Sequence, residues 1–367
     1  MSISQHGGPV RFFLGTNSAQ GFVSFFSQLA GPEPDWHTYI IKGGPGCGKS
    51  TFLRRVAAQY APQDPDAQLI CCSSDRDSLD AVILPRFHVS LADGTAPHVL
   101  EADFPALRQT LLPLGDGLDP EALAPSGPAI LALSAQSSQA YRQVTSCLAA
   151  AAAFLEDGRR LALARADLPK LRAAARRFAH THLGAAARPG RPAREQVRLL
   201  SSISCDGQTF LADTVQQLCP RVWFFEDESG ALADQFLQEL RQVALEMGLD
   251  IITCPCALCP EHTDHLLIPQ AGLAVLTENR FHPLEPLTPQ RRIHARRFLP
   301  EGALAAHKKA LSFQRRAAAS LLEQACRTLG QIRENHDQLE VLYRQAMDFS
   351  PVETQLERVR RRLVLPS

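Results

Sequence analysis

A run of glycines, one lysine and two hydroxyl side chains carries the clearest chemistry in the sequence. Residues 38–52 read TYIIKGGPGCGKSTF, in which Gly43, Gly48, Lys49 and Ser50 form the pattern G-x-x-x-x-G-K-S. Glycines let a backbone wrap closely around phosphate oxygens, and the amides that begin the following helix add further donors. The pattern therefore predicts a loop that binds a nucleoside triphosphate, here ATP with Mg²⁺.

The residues of this loop divide into phosphate contacts and a metal contact. Pro45 has no amide hydrogen, so the cradle is expected to begin at Gly46. Lys49 is expected to reach the β- and γ-phosphates and the Ser50 hydroxyl to coordinate Mg²⁺. Cys47 has two interpretations, a small side chain tolerated in the loop or a thiolate activated by the helix N-terminus. The predicted nucleotide contacts are Gly43, Gly44, Gly46, Cys47, Gly48, Lys49, Ser50 and Thr51, with Thr51 against the α-phosphate.

A magnesium site also needs a carboxylate at the end of a neighbouring strand. The apolar run at 86–93, RFHVSLAD, ends in Asp93, which we predict to contact Mg²⁺ directly or through water. A turn residue ahead of Gly94 is the alternative for Asp93, and Asp75 is the competing carboxylate. His98 is a further candidate, either a structural residue or a catalytic, phosphate-sensing one.

A second group of metal-ligand side chains lies further along the chain. Its spacing matches no common zinc finger, and a tetrahedral site takes four ligands, one fewer than the group offers. Two interpretations stay open, a Zn²⁺ site and buried free thiols. The group consists of Cys254, Cys256, Cys259, His262 and His265.

Short apolar runs that alternate with turns must position the loop. The stretch from Lys49 to Tyr60 predicts a helix that stops before Pro62, and long helical segments follow from about 106 to 183. Strands that alternate with helices predict a parallel sheet covered by helices, in the α/β class. The predicted strands are Arg11–Leu14, Thr38–Lys42, Gln68–Cys72 and Arg86–Ala92.

The second half of the chain repeats this plan. Apolar runs recur at 198–200, 222–225, 250–253 and 271–276. They predict a tandem duplication: a repeat at 1–184 with a helical segment at about 106–184, a linker at 185–196, and a repeat at 197–367 with a helical tail at about 303–367. An offset of 184 without gaps pairs identical residues, among them Phe52 with Phe236, Leu53 with Leu237, Asp66 with Asp250, Cys72 with Cys256, Asp80 with Asp264, Pro85 with Pro269, His98 with His282, Leu100 with Leu284 and Glu101 with Glu285.

The segment that matches the phosphate loop in the second half has lost its chemistry. Residues 224–234, FFEDESGALAD, contain no lysine and no hydroxyl at the metal position. Glu226, Asp227 and Glu228 would repel phosphate by several kcal/mol at short range. We therefore expect a non-binding pseudo-repeat.

Together these motifs resemble an uncharacterised family of bacterial tandem P-loop ATPases, within the P-loop nucleoside triphosphate hydrolases. The resemblance implies two P-loop repeats, each followed by a helical segment, with a second repeat that usually looks able to bind nucleotide. The sequence departs from that pattern at 224–234 and at 277–282, so its second P-loop is degenerate. The resemblance rests on FLGTNS at 13–18 with Gly21 and Phe22, IIKGGPGCGKST at 40–51, CSSDRDSLD at 72–80, DGTAPHV at 93–99 and LYRQAMDFS at 342–350.

Composition limits the partners and the location of the protein. The 367 residues carry zero formal net charge, and their arginine-rich stretches lack interleaved aromatics, so nucleic acid is an unlikely partner. No apolar run approaches the roughly 20 residues that span a bilayer, and the first residues lack a secretory signal, so we expect no membrane and a cytoplasmic location.

Three functions remain open on the sequence. One is an ATPase whose helical segments couple nucleotide state to an unknown protein partner. The second is a small-molecule or nucleotide kinase, with lid arginines from the helical segment, and the third is a nucleotide-sensing interaction module without hydrolysis.

Overall fold

Two six-stranded sheets with the same strand order form the frame of the protein. A computed structural model describes residues 8–363. The outer ends of the two predicted repeats, 1–7 and 364–367, lie outside the described residues, as does most of the N-terminal stretch judged to lack a secretory signal. We call the part from the first strand to residue 184 the first half, and the part from residue 185 onward the second half.

The first half contains eight described strands and four α-helices. Its strands β1 to β8 span Val10–Phe12, Gly15–Ser18, Gly21–Ser24, His37–Lys42, Gln68–Cys71, Leu79–Leu84, Val89–Asp93 and Gln109–Pro113. Its helices α1 to α4 span Lys49–Tyr60, Pro120–Leu123, Gly127–Leu163 and Leu168–Leu183.

The second half has the same inventory of described elements. Its strands β9 to β16 span Glu195–Val197, Ser201–Ser204, Gly207–Phe210, Arg221–Glu226, Ile251–Pro255, Thr263–Ile268, Leu273–Glu278 and Arg291–His294. Its helices α5 to α8 span Ala212–Leu218, Ala231–Glu246, Lys308–Gln345 and Ser350–Arg362.

The strand orders confirm two tandem α/β repeats. The first sheet runs β1-β5-β6-β7-β4-β8, and the second runs β9-β13-β14-β15-β12-β16, which is the same order advanced by eight. Each sheet is mixed, because β6 and β14 run antiparallel to both of their neighbours. The short connections into and out of β6 explain this difference from a wholly parallel sheet, since a parallel connection needs a dozen or more residues.

The two sheets share one hydrophobic core. Phe12 and Ile70 of the first sheet belong to the same buried cluster as Phe224 and Leu276 of the second. The opposite face of the first sheet is covered by α1, and that of the second by α6. The carboxyl ends of β4 and β12, where α/β sheets bind ligands, therefore hold the loops that enter α1 and α6.

The last helix of each half packs on the other half. Leu171 and Phe178 of α4 lie in the core with Phe236 of α6, while Leu356 of α8 lies in the core with Phe52 of α1. The long helices α3 and α7 pack along each other and lead to these crossings.

Two equivalent backbone hydrogen bonds mark the crossings. Asp167 donates its amide to the Phe298 carbonyl, and Asp348 donates to the Gly117 carbonyl. The core of each half is thus completed by a helix from the other.

The helices also bear on membrane insertion. Although α3 has 37 residues and α7 has 38, neither they nor any other helix within 8–363 combines the length and the hydrophobicity needed to cross a bilayer.

Candidate functional site

The loop between β4 and α1 presents a row of free backbone donors. Gly46 and Gly48 have φ angles of +71° and +84°, a region that favours glycine and that turns successive amides toward one side. No acceptor within the described residues pairs with the amides that begin α1 or immediately precede it. These amides belong to Gly46, Gly48, Lys49, Ser50 and Thr51. Unpaired backbone donors at a helix N-terminus have the chemistry to bind an anion.

Lys49 and Asp93 meet beside these donors. The Lys49 ammonium donates to the carbonyls of Gly43 and Gly44 over 2.9 and 3.0 Å, and lies 3.6 Å from Asp93 Oδ2. Asp93 ends β7, the parallel neighbour of β4, and its Oδ1 accepts from the Thr95 amide and hydroxyl. A carboxylate held at this edge can contact a cation bound by the loop, either directly or through water.

Ser50 and Asp75, the other two residues predicted as possible Mg²⁺ contacts, have different surroundings. Ser50 Oγ accepts from the Leu79 amide over 3.3 Å, which holds the hydroxyl at the start of α1. Asp75 caps a turn after β5, where its oxygens accept from the Asp77 amide and the Ser78 hydroxyl. The structure therefore places Asp93 beside Lys49 and engages Asp75 in a turn.

His98 forms a buried pair with Asp80. Its Nε2 lies 3.3 Å from Asp80 Oδ2, and its ring packs against Phe26 with ring centres 4.3 Å apart. Burial alone would lower the pKa of His98, but the hydrogen bond to Asp80 and the charges of Asp80 and Asp93 outweigh it, so the pKa lies above its usual value. This packing fits a structural role.

The other two predicted loop contacts differ in exposure. Thr51 is exposed on the first turn of α1, where its hydroxyl accepts from Arg54. Cys47 is fully buried, and burial raises the pKa of its thiol despite the nearby Lys49 charge. A raised pKa favours the neutral thiol, so Cys47 behaves as a small apolar side chain rather than an activated thiolate.

The end of α7 covers the first loop. A Cβ atom at Gly46 would lie 2.7 Å from the Glu340 carbonyl, and one at Gly44 would lie 3.3 Å from Tyr343. The ring of Phe349, just before α8, lies beside Gly48. The glycines therefore permit this close approach as well as the turn itself.

The loop that enters α6 is the structural equivalent of the first loop. Thr263 donates its amide to Asp234 Oδ1 over 3.0 Å, which matches the bond from Leu79 to Ser50 at the same offset of 184. Gly230 has a φ of +69°, as Gly46 does. The two loops can therefore be compared position by position.

The Asp227 carboxylate fills the anion position of the second loop. Its Oδ2 accepts from the amides of Leu232 and Ala233 over 2.7 and 3.0 Å, and its Oδ1 accepts from the amide and hydroxyl of Ser229. The Gly230 amide donates to the Asp227 carbonyl. Each backbone amide from residue 229 to residue 234 thus has an acceptor within the chain, and a carboxylate already occupies the position that a phosphate would take.

A guanidinium from α3 lies against the second loop, beside the position where the first loop has the predicted Mg²⁺ contact. Arg159 is 7% exposed, and its terminal nitrogens lie 3.2 Å from Asp234 Oδ2 and 3.4 Å from the Ser229 carbonyl. Asp234 stands where the first loop has Ser50. The second loop thus has its amides bound by its own Asp227, and its Asp234 is paired with an arginine from the first half.

A cavity of about 800 Å³ lies above the second loop. It is bounded by the ends of β12, β15 and β16 and by the long helices α3 and α7, with both charge signs on its walls. Its volume falls in the range of small-molecule sites. Lining residues include Asp227, Arg159, Arg315, His294, Cys256 and His282.

The predicted Cys/His group does not converge on one point. Cys254 lies in the core between the sheets, and His262 faces Asp234 and Glu156. Cys259 lies with the apolar residues that pack under α3 and α7, and His265 has no hydrogen-bond partner on either ring nitrogen within the described residues. Cys256 instead meets Asp264 and His282.

Sequence reasoning missed Asp264 and His282 as companions of Cys256, although one signal was present. The offset of 184 pairs these three residues with Asp80, His98 and Cys72. Identity at three chemically active positions was a reason to group them in space. Arg159 and Tyr343 had no comparable signal, because they reach the loops only through the packing of α3 and α7.

Comparison with known proteins adds no relative. No family model matches the chain, and neither a curated protein nor a solved structure matches it.

Proposed function

We propose that the protein binds ATP with Mg²⁺ at the loop between β4 and α1 and hydrolyses it, as a cytoplasmic P-loop ATPase with one working site. The observation that carries the proposal is the contrast between the two loops. Five amides of the first loop have no partner among residues 8–363, whereas those of the second are bound by Asp227 and Ser229. The same fold thus leaves one nest open and fills the other.

The residues of the first loop fit a triphosphate and its metal. Lys49 is held by two loop carbonyls and would exchange them for phosphate oxygens, where its charge offsets the charge that develops during phosphoryl transfer. Ser50 and Asp93 would hold Mg²⁺, which neutralises the same charge. The likeness to tandem P-loop ATPases points the same way. The helical segments would couple the nucleotide state to an unknown protein partner.

The kinase alternative gains no support from the arginines expected to form its lid. Arg159 binds at the second loop, and Arg165 lies against His307. The end of α7 covers the first loop instead, and it brings Tyr343 rather than an arginine. Hydrolysis is therefore preferred to transfer onto an acceptor.

The test is a calorimetric titration of the full chain with ATP in the presence of MgCl₂, together with an assay of released phosphate. We expect one nucleotide per chain and release of phosphate without an added acceptor. Lys49→Ala removes charge-assisted hydrogen bonds, each worth about 1.5–3 kcal/mol, so we expect affinity to fall by roughly 10- to 100-fold. Lys309→Ala, which changes an exposed lysine on α7, is the control and should bind as wild type does.

Each other outcome has a distinct meaning. Folded wild-type protein without affinity for ATP or GTP would refute the proposal. Two nucleotides per chain would contradict the assignment of the second half, and binding without turnover would support the sensing module instead.

A further inference from the structure

Three buried donors of different chemistry converge on the wall of the cavity above the second loop. The Cys256 thiol, an Asp264 oxygen and a His282 ring nitrogen lie within 4.8 Å of one another. They come from the segment after β13, from β14 and from the segment after β15, so folding brings together residues that are distant in sequence. Each of the three also lines the cavity.

The orientation of His282 is fixed from both sides. Its Nε2 lies 3.2 Å from Asp264 Oδ2, and its Nδ1 lies 3.0 Å from the Gln208 side chain. Here the Gln208 Nε2 amide donates to Nδ1, whereas a metal-binding imidazole donates its second N–H to an outer acceptor. Gln208 Oε1 fills that role when the side-chain amide turns over. The ring is therefore already placed as a ligand would be.

An unsatisfied imidazole lies next to this cluster. His265 is 1% exposed, and neither ring nitrogen has a hydrogen-bond partner within 8–363. Its ring centre is 6.1 Å from that of His282. A buried polar group without a partner is rare, and an ion or ordered water beside it is one explanation. His265 is not among the three donors that lie within 4.8 Å of one another, so it is a neighbour of the cluster and not one of its ligands.

The first half offers a natural comparison. Cys72, Asp80 and His98 occupy the matching positions, and His98 makes the matching contact with Asp80. However, the donors of these three described side chains do not come together as closely as those of the second half. Phe22 stands where the second half has Gln208, so His98 lacks the outer partner.

We infer that Cys256, Asp264 and His282 bind one Zn²⁺ ion whose fourth coordination position faces the cavity. Thiolate, carboxylate and imidazole are all zinc ligands, and three protein ligands with one open position are typical of zinc sites that act on a bound molecule. On binding, the ion takes the place of the thiol proton, which is released to solvent, and of the contact between His282 and Asp264. Of the five ligands predicted from spacing, this site uses only Cys256.

The experiment titrates the full chain with ZnCl₂ after treatment with a chelator and competes it against a chromogenic chelator. We expect one tightly bound ion per chain. Cys256→Ser and Asp264→Asn are close in shape to the native residues and remove a ligand, so each should weaken zinc binding at least about tenfold, more than the loss of an outer partner does. Cys72→Ser is the matched control and should retain the ion.

Two further measurements separate ligation from mere folding. Zinc should raise the Tm of the wild type and of Cys72→Ser, but not that of Cys256→Ser, since binding to the native state stabilises it. Replacement by Co²⁺ should give a thiolate charge-transfer band that Cys256→Ser abolishes. Azide should change the visible Co²⁺ spectrum by taking the open position.

Several results would overturn the inference. These are no bound zinc at all, bound zinc that persists in Cys256→Ser, or loss of zinc in Cys72→Ser alone. An unchanged Co²⁺ spectrum with azide would contradict a position open to the cavity. None of these readouts depends on ATP, so failure here leaves the nucleotide proposal standing.

Discussion

The amide of Leu232 donates to the Asp227 carboxylate over 2.7 Å, so the second loop supplies its own anion. The Asp227 side chain is 5% exposed and also accepts hydrogen bonds from the amides of Ala233 and Ser229. A helix N-terminus that would otherwise bind phosphate is thereby closed by a residue of the chain. The second half keeps the glycine turn ahead of the helix, and the Asp227 carboxylate stabilises the start of α6 there.

Asp227→Ala should destabilise the protein without creating a second nucleotide site. The substitution leaves several buried amides without an acceptor, at a cost of about 1–3 kcal/mol in the free energy of unfolding. Urea unfolding measures the loss, and nucleotide titration should still give one ATP per chain, because the second loop has no lysine.

Glu228→Ala is the matched control for this change. The neighbouring carboxylate is 68% exposed and makes one long ion pair with Arg315, so its removal should change stability by less than about 0.5 kcal/mol. Equal effects of the two substitutions would contradict the role given to Asp227.

Since α4 and α8 each pack on the other half, we predict that a cavity made in either helix destabilises the half on which that helix packs. Leu356 on α8 is 1% exposed and packs in the core of α1, and Leu171 on α4 is fully buried in the core of α6. Each leucine-to-alanine change should cost about 2–5 kcal/mol. Hydrogen exchange should show Leu356→Ala accelerating exchange in α1 more than in α6, and Leu171→Ala doing the reverse.

The opposite assignment of the two effects would contradict this packing. If Leu356→Ala loosened α6 and Leu171→Ala loosened α1, then α8 and α4 would each pack in their own half of the chain and not in the other half. Uniform acceleration in both variants would mean that the shared core makes the two halves unfold as one unit.

The local pattern of the sequence was enough to place the first loop. The helix predicted from Lys49 to Tyr60 has those bounds in the structure, because a glycine turn begins it and Pro62 follows its end. The apolar runs at 38–42 and 86–92 correspond closely to β4 and β7. These elements depend on short-range signals, which a single sequence displays.

Long-range features were beyond the sequence pattern. β6 was missed since its residues, LDAVIL at 79–84, are apolar except for Asp80 and lack the alternation that marks a half-buried strand. The packing of α4 on the second half and of α8 on the first depends on which apolar surface each helix contacts, and both halves present similar apolar surfaces. The proximity of Asp264 to Cys256 and His282 needed the same three-dimensional knowledge, because an aspartate on a strand carries no local mark of its neighbours.

His37 should make the stability of the protein sensitive to mild acid. This residue begins β4 and is 3% exposed, and its Nε2 lies 2.9 Å from the Thr110 hydroxyl. Burial, reinforced by the charges of Arg362 and Arg358 in α8, lowers its pKa to about 4. The folded protein therefore keeps the ring neutral at a pH where an unfolded chain would protonate it.

The sign of the effect follows from this depressed pKa. Between about pH 6.5 and pH 4 the unfolded state binds one more proton at His37 than the folded state does, so the contribution is complete above pH 6.5 and is lost as the pH falls. Because only one proton is involved, the free energy of unfolding changes by at most about 1.4 kcal/mol per pH unit from this residue. His265, whose pKa burial also lowers to about 4, adds a slope of the same sign.

Urea unfolding at several pH values from about 7.5 down to about 5 tests this behaviour. His37→Gln can keep a hydrogen bond to Thr110 but cannot titrate, so its stability should fall with acid by up to about 1 kcal/mol per pH unit less than that of the wild type. His180→Gln changes an exposed histidine on α4 and should follow the wild-type profile. Parallel profiles for the wild type and His37→Gln would show that His37 is not the group that takes up the proton on unfolding.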